Sequence, residues 1–129
     1  MDAPVQLWIM LGTNDLLQER QFTAEDTAQR MEAFLKKIMA EPAVFDGKIT
    51  LQLIAPARME YGAWVDEERL YLESRRLGEE YRKVAERMGI EFTDAGKWEI
   101  PVVYDGVHFS EEGHHIFAQK IQEELTWLR

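Results

Sequence analysis

Seven residues from Val5 to Leu11 are apolar except for Gln6, the pattern of a parallel strand covered on both faces. The run ends at Gly12-Thr13-Asn14-Asp15, which reads as a loop. Thr23 then predicts a helix N-cap, with Asp26 three residues on completing a capping box. Ala28, Met31, Leu35, Ile38 and Met39 follow at helical spacing until Pro42 and Gly47 stop the helix. A second strand runs from Ile49 to Ile54. Thr50 and Gln52 alternate there with Ile49, Leu51 and Leu53, so one face is expected to be less buried. Pro56 ends it, since proline cannot donate to a continuing ladder.

A long amphipathic helix is predicted from Val65 to Met88, with Leu70, Leu77, Tyr81, Val84 and Met88 on its apolar side and Gly89 just past its end. Ile90 to Thr93 forms a short third strand. A mixed aromatic and polar loop runs from Asp94 to Phe109, and Ser110 caps a last helix burying Ile116, Phe117, Ile121, Leu125 and Leu128. Strands alternating with helices imply parallel βαβ units with right-handed crossovers, hence an α/β fold. Ligands bind such sheets at the carboxyl ends of the strands, so the loops after Leu11, Ile54 and Thr93 are the informative ones.

At 129 residues the chain is one domain, 1–129, and its composition is globular, with 46% apolar and 30% charged residues. A formal charge of −9 argues against nucleic acid and against an anionic membrane surface. The absence of cysteine excludes disulfides, thiolate zinc sites, iron–sulfur clusters and a cysteine nucleophile, and suits a reducing compartment. No apolar stretch is long enough to span a bilayer and the first residues carry no basic region, so the expected location is cytoplasmic.

Two of the three loops hold reactive polar groups. An Asn at the end of a parallel strand, as Asn14 is, can aim its amide at a developing oxyanion, and Gly12 lets the backbone turn and a substrate approach. The same residues also make simple Asx-turns. In Asp105-Gly106-Val107-His108 a carboxylate three residues before an imidazole can fold back to hold the ring, fixing its tautomer for general-base work. A loop histidine making one structural hydrogen bond satisfies that pattern equally.

Taken together and in this order, the two blocks are more specific. Trp8-Ile9-Met10-Leu11-Gly12-Thr13-Asn14-Asp15-Leu16 and Asp105-Gly106-Val107-His108-Phe109 resemble the third and fifth blocks of the SGNH (GDSL-type) hydrolases, within their arylesterase and acyltransferase branch. The resemblance covers essentially the whole chain, but only the C-terminal portion of the family domain. It implies a flavodoxin-like three-layer α/β/α sandwich around a five-stranded parallel sheet, about three strands of which this chain supplies. It also implies hydrolysis of carboxylic esters, or acyl transfer, through a serine acyl-enzyme, with no cofactor and no metal. By the match, His108 is the general base, Asp105 its orienting carboxylate and Asn14 an oxyanion donor, with Gly12, Thr13 and Asp15 as the supporting loop. The substrate is a small-molecule ester.

The family's Gly-Asp-Ser block is not in this sequence. Of the two serines, Ser74 lies mid-helix and Ser110 has work as a cap, so the nucleophile is expected from residues upstream. The alternative is a non-catalytic SGNH-like remnant or interaction module. A phosphoacceptor domain using Asp15 lacks the acidic pair and late lysine such a site wants. His114 and His115 point about 100° apart on a helix and so do not share a metal. Tyr61, Trp64, Trp98 and Tyr104 flank the active face, where at least half are expected to serve packing. The strand Val5–Leu11 needs a neighbour on its outer edge: the missing N-terminal segment, another chain or a symmetry mate in a homo-oligomer.

Overall fold

The computed structural model describes residues 5–124. Strand β1 (Val5–Ile9), helix α1 (Thr13–Gln18), helix α2 (Ala24–Met39), helix α3 (Pro42–Phe45), strand β2 (Ile49–Ala55), helix α4 (Glu68–Met88), strand β3 (Glu91–Asp94) and helix α5 (Glu111–Glu124) follow in that order. The strands form one parallel sheet in the order β1-β2-β3, with Leu7 beside Leu51 and Ile54 beside Thr93. This is the α/β arrangement the alternation predicts. Helices α2 and α4 pack on one face through Leu35, Leu51, Leu53, Leu77, Tyr81 and Val84. Helix α5 covers part of the other through Ile121, which meets Ile54, Trp98 and Ile100.

The local signals act as the sequence predicts at several ends. Thr23 accepts a hydrogen bond from the Asp26 amide, and the Asp26 carboxylate accepts from the Thr23 amide at 3.0 Å, closing the capping box. Gly89 ends α4 in the left-handed region, and Ser110 Oγ accepts from the Gly113 amide at 3.0 Å. Replacing the Thr23 cap leaves helix amides unpaired, so Thr23→Ala is expected to cost ~1 kcal/mol. Thermal unfolding reads this directly, and an unchanged Tm would remove the cap from the account.

Four expectations are corrected. Gly12-Thr13-Asn14-Asp15 is not a free loop, because Gly12 at φ 136° turns the chain straight into α1. Pro42 does not merely stop α2 but begins α3, where its fixed φ suits a first helical turn. Helix α4 starts at Glu68 rather than Val65, since Val65 is pulled into a bridge with Gly62 and buried there. Gln52 is buried like its apolar neighbours, its Nε2 donating to Thr93 Oγ1 at 2.8 Å, so β2 has no wet face at that position.

Strand β1 ends at Ile9, two residues short of the apolar run, and its outer edge is unpaired among the described residues. Val5, Leu7, Trp8 and Leu11 are exposed, Trp8 by 43%. In α5, Ile121 is buried while Ile116 and Phe117 are half-buried; Leu125 and Leu128 lie outside the described residues. No helix among the described residues is long and apolar enough to cross a membrane.

Candidate active site

Asp105 is buried and His108 exposed, and the three-residue spacing folds the two together. Asp105 Oδ2 lies 2.6 Å from His108 Nδ1, while Oδ1 accepts from the amides of Val107 at 2.8 Å and His108 at 2.9 Å. An ionised carboxylate only accepts, so Nδ1 carries a proton, and in the neutral ring that leaves the lone pair on Nε2. Gly106, at φ 84°, makes the reversal possible; a Cβ there would collide with the Glu60 carbonyl. The loop is tied within itself by Val103 N–H donating to the His108 carbonyl at 2.8 Å.

Burial pushes the Asp105 carboxyl up, but the hydrogen bonds from the His108 and Val107 amides and from the imidazole outweigh it and hold the group below the ordinary carboxylate value. A depressed native value stabilises the fold above the ordinary carboxylate range and loses that contribution as pH falls through the native value. Acid is therefore expected to loosen this loop as pH falls through that lowered value, and the emission of Trp64, which packs edge-on against the His108 ring at 5.1 Å, reports it. Asp105→Asn should remove that pH dependence.

The connection between β2 and α4 carries this loop. Glu60 N–H donates to the Gly106 carbonyl at 2.9 Å, Ala63 N–H to Tyr104 at 3.0 Å and Trp64 N–H to Asp105 at 3.0 Å. Gly62 permits the approach, since a Cβ there would lie 2.6 Å from the Tyr104 carbonyl. No local sequence signal announces this support. Trp98 is a core residue packed edge-on against Phe117, whereas Tyr61, Trp64 and Tyr104 are exposed beside the imidazole loop, with Tyr61 stacked on Tyr71.

Asn14 and Val107 line one cleft of about 300 Å³ with Leu11, Gly12, Asp15 and Pro56, so the tertiary fold brings the early block to the residue next to His108. Asn14 is exposed there, one residue into α1. Asp15 instead turns to Arg30, 3.3 Å away, and Thr13 opens the helix. Neither serine is placed as a nucleophile. Ser74 Oγ is buried, donating to the Tyr71 carbonyl and accepting from the Met59 amide, both at 3.0 Å, and Ser110 caps α5. His114 and His115 are exposed, and no group of three or more metal-binding side chains assembles among the described residues.

Residues 3–116 match the GDSL-like lipase/acylhydrolase family, and the chain belongs to it. Among solved structures, an Agrobacterium tumefaciens protein assigned as an arylesterase superposes with a TM-score of 0.80 at 25% identity, covering 95% of this chain and 60% of that one. A carbohydrate acetylesterase from Sinorhizobium meliloti gives 0.79 at 21% identity, covering 97% and 61%. The aryl esterase of M. smegmatis gives 0.78 at 21% identity, with the same coverages of 97% and 61%. The chain thus spans about three fifths of the length of these structures, and its α/β sheet is the fold they share. No curated protein matches it significantly.

Proposed function

We propose that this chain is the C-terminal portion of a carboxylic ester hydrolase, supplying the base, its orienting carboxylate and one oxyanion donor, while the nucleophilic serine comes from a segment outside residues 1–129. The observation that carries this reading is the buried Asp105 carboxylate, 2.6 Å from an exposed imidazole whose loop borders the Asn14 cleft. In the reaction the serine Oγ bonds to the ester carbonyl carbon as its proton passes to His108 Nε2. The imidazolium, stabilised by Asp105, returns that proton to the departing alcohol as the acyl–oxygen bond breaks. Water then attacks the acyl-enzyme by the same exchange, freeing the acid. The Asn14 amide donates to the oxyanion in both steps.

Labelling with a fluorophosphonate tests the division of labour. Residues 1–129 alone are expected to remain unlabelled, whereas the protein completed by its N-terminal strands is labelled on a serine outside this chain. Modification of Ser74 or Ser110 would overturn the proposal, and a completed protein inert to both the label and aryl esters would favour a non-catalytic module. In the completed enzyme, Asn14→Ala is expected to lower kcat by about 10²–10³ with KM nearly unchanged, because an oxyanion donor acts only on charge that develops in the transition state. A rise in KM with kcat intact would assign Asn14 to ground-state binding instead.

A further inference from the structure

Helix α4 sends one polar group through the core to the oxyanion turn. Tyr81 is fully buried among α2, α4 and the sheet, yet its hydroxyl is not idle: it donates to the Leu11 carbonyl at 2.7 Å, across 70 positions of sequence. That carbonyl immediately precedes Gly12, the residue whose φ of 136° swings the chain from β1 into α1 and sets the direction of Asn14. Gly12 in turn fits only because it has no side chain. A Cβ there would collide with Tyr81 Oη and lie 3.3 Å from Thr27 Cγ2. The phenol thus touches the turn twice, by a hydrogen bond to one residue and by contact with the next.

We infer that Tyr81 is a positioning residue for the proposed oxyanion donor, fixing the Leu11–Gly12 backbone so that the Asn14 amide faces the cleft. The inference rests on the reading of Asn14 given above. Three properties suit Tyr81 to this work. Its ring is buried in the core cluster with Leu35, Leu53, Leu77 and Val84, so the hydroxyl has little freedom to follow a shifting loop. The strand beneath the turn offers less restraint, because β1 pairs with β2 only as far as Ile9, which leaves Met10 and Leu11 outside the ladder. The Leu11 carbonyl, beyond the last strand pair, has the phenol as its partner. Displacements of an ångström at a reacting centre cost up to about a hundredfold in rate, so a restraint of this kind has a kinetic consequence.

The test compares Tyr81→Phe with Val84→Ala. The second removes buried volume one helical turn along the same core without approaching the turn, and so controls for lost stability. In the completed enzyme Tyr81→Phe is expected to lower kcat by about tenfold or more, short of the full loss expected for Asn14→Ala, with KM unchanged and Val84→Ala near the parent. Amide hydrogen exchange on the completed protein gives a readout independent of turnover. The amides of Leu16 and its neighbours in α1 should exchange faster in Tyr81→Phe than in Val84→Ala. Gly12→Ala should also be less damaging in the Tyr81→Phe background than alone, because the colliding oxygen is gone. Equal exchange in the two variants, together with additive effects of Gly12→Ala and Tyr81→Phe, would overturn the inference. If exchange changes as expected while the completed protein shows no turnover, the positioning of the turn stands and the hydrolase reading falls.

Discussion

His108→Ala in the completed form of the proposed hydrolase is expected to abolish turnover, with a loss of about 10⁶ in kcat and little change in KM. A triad works as a unit, and removing its base costs nearly as much as removing the whole. Asp105→Asn should be less severe, about 10⁴, because the amide still fills the space but presents the wrong partner to Nδ1 and favours the unproductive tautomer. The two losses should not add. Once His108 is gone, Asp105 has nothing to orient, so the double variant should match His108→Ala alone. Steady-state kinetics with an activated aryl ester checks each value. A His108→Ala enzyme within about tenfold of the parent would show that the imidazole is not the base.

The second large effect concerns assembly. Residues 1–129 in isolation are expected to associate, so that light scattering reports a mass above the 15.1 kDa of the single chain. Strand β1 has an open edge, and Leu7 at 39% and Trp8 at 43% exposure stand on opposite faces of it. A strand docked there gains the free edge groups and covers what remains exposed of these side chains, at about 1 kcal/mol each. The fold's own N-terminal strands are the proposed occupant, and in their absence a second copy is the available substitute. A lysine at an edge position opposes such pairing, so Leu7→Lys should shift the sample toward monomer. A monomer at every concentration, with Trp8 emission unchanged when the N-terminal segment is added, would contradict this.

The elements legible in the sequence are those set by neighbours along the chain. The Thr23–Asp26 box, the left-handed Gly89 and the Ser110 cap are short-range devices, and their residues announce them. Asp105 and His108 belong to the same group, since three residues of spacing bring carboxylate and ring together. What stayed hidden is non-local. Gln52 is dry because Thr93, 41 residues away, accepts from it, and nothing in an alternating strand reveals such a partner. Helix α1 is a single short turn-driven element with no room for periodicity, so Gly-Thr-Asn-Asp reads as a loop until the Gly12 dihedral is known. Val65 belongs to the helix by hydrophobic pattern and to the loop by its bridge to Gly62. The apolar run of β1 reads as a strand covered on both faces, whereas among the described residues its outer edge is unpaired and Leu7 and Trp8 are exposed.

Among the described residues, the Asp105–His108 loop is held by two amides on the carboxylate, three backbone hydrogen bonds from the β2–α4 connection, and the Trp64 ring against the imidazole. On the proposed reading, the base is set by this chain's own contacts. Reconstitution from two polypeptides then needs no reorganisation of this loop, and the step that precedes pairing is release of the second copy from the β1 edge. The rate at which activity appears should scale with the concentration of the added piece until that release limits it.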